Sequence, residues 1–444
     1  MPETLHRHLL DPATYRESCA QVEFRETHIS RVYLTDRHAF KFKKPLDLGF
    51  LDFSSLAYRR HFCQEELRLN RRFCSEIYLD VVTLNRSAEG YRINGPGETL
   101  DYAVRMKRLP EERMLDSLLA DSRDKDLTAE IDRLADKLVE IYPTLPTFRA
   151  SGDDSHVAMM RANWQENFRQ TRPYIGQTIN HELFELGRHR VGRLLDRVEP
   201  TMTRREKDGF VRDCHGDLHS RNICMTQDIC IYDCIEFNRR FRIGDIIGDI
   251  AFLLMDLDFR NRRALSERLL EKAAPILGDA GDIAELIPFY KFYRAWVRGK
   301  VQSFLVDEED TAEDVRREAR QQALKYFNLG FGELAPSGLI LTCGLSGTGK
   351  TTVARALSET TGAMLLRSDV IRKEIFGHDS RQARPGGFNK GLYTAEKTAR
   401  TYAELRKRSE KILAEGKTVI ADASFGKAAD RLSFAALAKR CKVP

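Results

Sequence analysis

The segment Cys214-His215-Gly216-Asp217-Leu218-His219-Ser220-Arg221-Asn222, followed shortly by Asp233, carries the residue types that phosphoryl transfer requires. Such a reaction needs a carboxylate to receive or position the acceptor hydroxyl. It also needs a side-chain amide that holds Mg2+ and a second carboxylate on the same ion. Asp217, Asn222 and Asp233 supply these groups if the chain between them folds back. Ile223 to Met225 and Ile229 to Tyr232 read as strands around a Thr226-Gln227-Asp228 turn. In that register Met225 faces Ile229 and Asn222 faces Tyr232, which brings Asp233 beside Asn222. The bland alternative is an acidic surface loop before an ordinary hairpin. Gly216, the hairpin and the trailing carboxylate together weigh against it.

A second constellation is independent of the first. Gly344-Leu345-Ser346-Gly347-Thr348-Gly349-Lys350-Thr351 fits the pattern G-x-x-x-x-G-K-[ST] and is followed by Thr352. The apolar run Leu339-Ile340-Leu341 precedes it, and a helix with Val353, Ala356 and Leu357 on one face is expected after it. Glycines let backbone N–H groups close around phosphates, while the lysine reaches the β and γ oxygens and the threonine holds Mg2+. A helix N-terminus adds a favourable dipole. These residues read as a nucleotide site.

With both constellations in view, the chain resembles a known family. His215 to Asn222, with Ile231-Tyr232-Asp233-Cys234-Ile235-Glu236-Phe237 after it, is similar to the catalytic core of aminoglycoside phosphotransferase-like small-molecule kinases. Adding the second motif, the whole chain resembles bacterial fusions of such a domain with a P-loop kinase domain of the AAA or zeta-toxin-like type. The resemblance implies an α+β, kinase-like bilobal module followed by an α/β P-loop module with a parallel sheet. It also implies ATP and Mg2+ as cofactors and a small hydroxyl-bearing molecule as acceptor.

The elements that must position these residues follow. Val32-Tyr33-Leu34 and Ala39-Phe40-Lys41-Phe42-Lys43 read as strands of a small lobe, with Lys41 and Lys43 on one face. The resemblance implies that one of them meets the nucleotide's α and β phosphates. Lys41 is favoured because apolar Phe40 and Phe42 flank it, whereas Lys43 precedes Lys44-Pro45. The helix expected over 55–73 carries Glu65 and Glu66, of which Glu66 is chosen as the lysine's partner. No glycine lies between Val22 and Val32, so there is no Gly-rich loop of the protein-kinase type, and Thr27, His28 and Ser30 are left to contact phosphate. Tyr102 to Met106 reads as the strand before the hinge, and Asp249 is read as a brace for the catalytic loop. Phe289, Phe292, Tyr293 and Trp296 recur at helical spacing and read as core.

The expected organisation is a first module over 1–330, with a small lobe to about 105 and a large lobe from about 110. The stretch Gly330 to Gly338, with three glycines and Pro336, marks a linker over 331–337 that leads to a P-loop module over 338–444. In that module Ala363 to Leu366 reads as a strand before Ser368-Asp369, and Thr418 to Asp422 as a strand ending in a carboxylate that orients Mg2+ through water. In the resembled kinases an Asp with a nearby Arg lies where the acceptor binds, and Asp369 and Arg372 match; Asp369 reads equally well as a helix N-cap. Nothing after Lys442 supplies the further strands, lid and adenine loop of those kinases. The sheet is therefore expected to be incomplete, with an unpaired edge near Val419 and no assured catalysis.

Composition sets the outer bounds. Among 444 residues, 72 Lys and Arg against 66 Asp and Glu give +6, too little for this length to argue for nucleic acid. No apolar run approaches a membrane span, and the first fifteen residues lack the apolar core of a signal peptide. Nine cysteines without a disulfide-like pattern suit a reducing cytoplasm, and the absence of any C-x-x-C pair argues against zinc. Two other readings are a nucleotide-sensing regulator or scaffold and a nucleic-acid or nucleoside end kinase acting through Asp369.

Overall fold

The computed structural model describes the chain except residues 1–2, 50, 122–125, 151–153, 309–310, 336, 346 and 378–393. The chain divides into two compact units, one of residues 1–166 with 190–290 and one of residues 167–189 with 291–444. Among the described residues no helix is long and apolar enough to cross a membrane.

The first unit opens with helix α1 (Glu3–Leu9) and an antiparallel sheet. Its strands are β1 (Glu23–Glu26), β2 (Ser30–Leu34), β3 (His38–Lys43), β4 (Tyr78–Ser87), β5 (Gly90–Ile93) and β6 (Glu98–Lys107), in the order β1-β2-β3-β6-β4-β5. Alternation along β3 assigns its two faces. Phe40 and Phe42 join Leu9, Tyr33, Val82 and Leu84 in one buried cluster, while Ala39 packs with Cys63, Tyr78 and Val104 in another. The second cluster includes helix α2 (Leu56–Asn70), whose N-cap Ser55 accepts a hydrogen bond from Tyr58 N–H. Lys41 and Lys43 project to the Ala39 face by the same alternation, toward Glu66 of α2. This is the α+β architecture expected of a small lobe.

The rest of this unit is mainly helical, with two short pairings, β7 (Val211–Asp213) to β10 (Ile243–Asp245) and β8 (Ile223–Cys224) to β9 (Cys230–Ile231), and the isolated bridges Met114 to Cys224 and Thr147 to Arg212. The β8–β9 register pairs Ile223 with Ile231 and Cys224 with Cys230, as the sequence predicts. The helix Ile246–Phe259 is apolar on nearly every side and buried over most of its length. A leucine or isoleucine fully buried in this way contributes about 1.5–3 kcal/mol relative to exposure. Its N-cap, Asp245, also receives two hydrogen bonds from buried Arg205, at 2.7 and 2.9 Å.

Cys74 and Cys230, far apart in sequence, form a disulfide with their Cα atoms 5.2 Å apart. This corrects the expectation of unpaired thiols. The partners come from the segment just after α2 and from β9, so no local spacing announces them.

In the second unit Phe292 and Trp296 are fully buried, as the aromatic stripe predicts. The helix Glu313–Leu334 runs on through residues expected as linker. Its glycines serve packing: a Cβ on Gly332 would lie 2.2 Å from the carbonyl oxygen of Thr361. The parallel sheet has β11 (Leu339–Thr342), β12 (Met364–Arg367) and β13 (Val419–Asp422), in the order β11-β13-β12. Val419 therefore lies on the central strand, which corrects the expected edge there. All four residues of β13 are buried because a neighbour pairs on each side.

Candidate functional site

The segment from His215 to Asn222 is braced by one buried helix. Buried Asp249, in the first turn of Ile246–Phe259, accepts from His215 N–H at 2.7 Å, from Gly216 N–H at 3.1 Å and from the Tyr142 hydroxyl at 3.0 Å. One turn from the other end of that helix, Asp256 accepts from Ser220 N–H at 2.9 Å. Both ends of the loop are thus pinned to one rigid helix. His215 is buried, and burial pushes its imidazole below the ordinary 6.5. Its Nε2 lies 3.0 Å from the Tyr232 carbonyl and its Nδ1 receives Asp217 N–H at 3.3 Å, which fits the neutral ring protonated at Nε2.

Asp217 is about one-third exposed, and two side chains meet its Oδ2. Asn222 Nδ2 donates to it at 3.1 Å, and His219 Nε2 lies 3.2 Å away. Asn222 Nδ2 also donates to the Asp217 carbonyl, which leaves the amide oxygen as its acceptor atom. Tyr232 N–H donates to the Asn222 carbonyl at 3.0 Å, so the hairpin closes as the sequence register requires. Asp233 follows with φ of 63°, a left-handed conformation, and its N–H donates to buried Tyr78 Oη at 3.1 Å.

Lys41 joins the two halves of this site. Its ammonium donates to Glu66 Oε1 at 2.8 Å and pairs with Asp233. Burial alone would lower the Lys41 pKa, but the carboxylates of Asp233, Glu66 and Glu236 overcome it and hold the ammonium well above its ordinary value. The same balance, with Lys41 and Lys43 outweighing burial, keeps Glu66 below the usual carboxylate range. The structure thus brings together Asp217 with Asn222, and Lys41 with Glu66 and Asp233. Sequence reasoning missed Glu236, which pairs with Lys43, and Asn70, whose Oδ1 accepts from Cys234 N–H at 2.8 Å. A carboxylate between apolar Ile235 and Phe237, just past a proposed metal ligand, was the available signal. Of the suggested phosphate contacts Thr27, His28 and Ser30, Ser30 is fully buried in the sheet.

In the second unit the helix Lys350–Thr361 starts after Gly349, and Gly344, Gly347 and Gly349 all have positive φ. A Cβ on Gly347 or Gly349 would meet nothing within 4 Å, so both glycines border open space. Lys350 Nζ folds onto the Leu345 carbonyl and lies 3.5 Å from Thr348 Oγ1. Asp422 accepts from Thr351 at 2.7 Å and from Thr342 at 2.8 Å, with Arg367 3.8 Å away. Thr352 is exposed in the same first turn, and Ser346 lies outside the described residues. The buried side of this helix carries Ala354 with partly buried Leu357, whereas Val353 is exposed, which corrects the expected apolar face. Ile420 of β13 and Leu365 of β12 pack on the Ala354 side, so that face is set by the sheet.

Asp369 and Arg372 both fall in the helix Ser368–Phe376. Its N-cap is Arg367, so Asp369 is a first-turn residue, paired with Lys373 at 3.1 Å. Arg372 is buried and donates to Thr398 at 3.2 Å. Among the described residues no group of three or more His, Cys, Asp or Glu side chains is arranged to hold a metal ion by itself.

Comparison with known proteins divides the chain in the same order. Residues 76–286 match the model of the phosphotransferase enzyme family, and residues 339–444 match that of the AAA domain. Uncharacterized proteins of Mycobacterium tuberculosis and Mycobacterium bovis are 28% identical over 408 residues, 91% of this chain and 78% of theirs. Among solved structures, a choline/ethanolamine kinase family protein from Mesorhizobium loti is similar at 11% identity and TM-score 0.43, over 82% of this chain and 100% of that one. Amicoumacin kinase hAmiN, solved with AMP-PNP, Ca2+ and amicoumacin, is similar at 13% identity and TM-score 0.44, over 73% of this chain and 92% of that one.

Proposed function

We propose, for a chain whose residues 76–286 match the model of the phosphotransferase enzyme family and whose residues 339–444 match that of the AAA domain, an ATP-dependent, Mg2+-requiring kinase that phosphorylates a hydroxyl of a small molecule through residues 1–330. The observation that carries this reading is the convergence of Lys41, Glu66 and Asp233 at the end of the hairpin that follows Asn222, whose amide donates to Asp217. The donor set suits the ion: the Asn222 amide oxygen and the Asp233 carboxylate are hard oxygen ligands. A Mg2+ held there would neutralise charge on the transferring phosphates.

The chain's own residues do the rest. Asp217 accepts or orients the acceptor's proton, and Asn222 and His219 fix the carboxylate's direction from its Oδ2 side. Lys41 neutralises the α and β phosphates, aimed by Glu66. Rate comes from holding nucleotide and acceptor in line rather than from a covalent intermediate on the protein.

Residues 338–444, beyond a junction at 331–337, form a second nucleotide site in this reading. The loop from Gly344 to Thr351 cradles phosphates, Lys350 reaches outward to them, and Thr351 with Asp422 holds the ion, the latter through water. Asp369 and Arg372 flank an acceptor position there.

The test is incubation of the protein with ATP and a metabolite extract, followed by mass spectrometry. One small molecule gaining a phosphoryl group is the expected result. ATP binding with no phosphorylated product would contradict the kinase reading and favour a nucleotide sensor.

A further inference from the structure

Lys43 is the unused half of the lysine pair on β3. Its side chain is fully buried, its Nζ donates to Glu66 Oε2 at 2.7 Å, and it pairs with Glu236, whose side chain is also buried. Glu66 therefore has one oxygen on Lys41 and the other on Lys43. The ring of Phe53 closes the Lys43 side, 4.8 Å from Nζ.

The charges sort the roles. Lys41, Lys43, Glu66 and Glu236 balance one another. Asp233 remains as the surplus carboxylate, with 43% of its side chain exposed. An approaching phosphate competes with Asp233 for Lys41. It does not reach Lys43, so the second anchor on Glu66 persists whatever Lys41 does. Glu236 in turn adjoins the segment that carries Asp217: Ile235 N–H donates to the His215 carbonyl at 3.1 Å, and Arg242 donates to the Ile235 carbonyl at 2.8 Å. The Lys43–Glu236 pair thus ties β3 and α2 to the loop that carries Asp217.

We propose that Lys43 and Glu236 are positioning residues, a buried ion pair that fixes Glu66, and through it Lys41, in phosphate-ready geometry before nucleotide arrives. The proposal rests on the reading of residues 1–330 as a phosphotransferase. A purely structural pair would give up only stability when removed, because two well-packed apolar side chains replace a buried ion pair with little loss. A positioning pair gives up rate as well.

The experiment compares the full chain with Glu236→Gln and with the double variant Lys43→Met/Glu236→Leu. Thermal melting is measured, together with apparent kcat and KM for ATP in the transfer of labelled phosphate to a metabolite extract. Glu236→Gln is expected to lower kcat by about 100-fold, the scale of a displacement near 1 Å, with KM for ATP changed far less. The double variant leaves Glu66 Oε2 without its buried donor, so it is expected to melt below the wild type but, once folded, to stay slow. A folded double variant with wild-type kcat would overturn the proposal while leaving the kinase reading intact, and it decides the matter even if Glu236→Gln fails to fold. A wild type that forms no labelled product would overturn the kinase reading, and the proposal with it.

Discussion

Lys41 lies between two carboxylates with 11% of its side chain exposed, whereas Lys350 rests on a backbone carbonyl and a threonine hydroxyl at the surface of its loop. The first lysine is aimed by fixed charge and the second by the backbone around it. At the first site the work of organisation is done by side chains from β3, α2 and the β8–β9 hairpin, distant in sequence. At the second, one strand, one loop and one helix suffice, with Asp422 entering from the adjacent strand. Charge-built sites are sensitive to single substitutions far along the chain; backbone-built sites are sensitive mainly within the loop.

That contrast can be broken in several places. The largest expected effect is from Asp217→Asn, which should lower the initial rate of phosphoryl transfer by about 10²–10⁴-fold while ATP binding, followed by calorimetry, is largely kept. Lys41→Met should follow, with a loss of about 10²-fold or more in the same assay, because it removes a preorganised cation from the transferring phosphates. Lys350→Ala should act on binding alone, reducing nucleotide bound at saturation from two per chain to one in equilibrium dialysis. A chain that still binds two would show that the loop backbone suffices without its lysine.

The smallest effect concerns pH. His215 is depressed below 6.5 by burial, so the unfolded chain takes up a proton that the folded one resists. Its contribution to stability is fully present above 6.5 and is lost as pH falls below that value. The slope should not exceed about 1.4 kcal/mol per pH unit for this one group, read from denaturant melts between pH 7 and 5. His215→Gln should flatten that part of the profile; an unchanged profile would assign the acid sensitivity to other groups.

What could be read in advance follows from distance along the chain. The β8–β9 register was legible because a three-residue turn leaves little choice of pairing, and the Gly344–Thr351 loop because its chemistry is contiguous. Lys41 and Lys43 were placed on one face by strand alternation, but their division of labour depends on Glu236, almost two hundred residues away. The Cys74–Cys230 disulfide was invisible for the same reason. Val419 was misplaced at an edge because strand order in a parallel sheet need not follow chain order. Gly332 reads as linker, although it lets the backbone of Thr361 approach a helix. In each case the residue type was informative and its partner was not.

The central claim is that transfer belongs to the charge-built site. The most direct test measures labelled phosphate from ATP entering a metabolite extract, with Asp217→Asn and Lys350→Ala compared side by side with the wild type. The account predicts that the labelled product vanishes with Asp217→Asn and persists with Lys350→Ala. The reverse pattern, product kept without Asp217 and lost without Lys350, would contradict it and move the chemistry to the P-loop module.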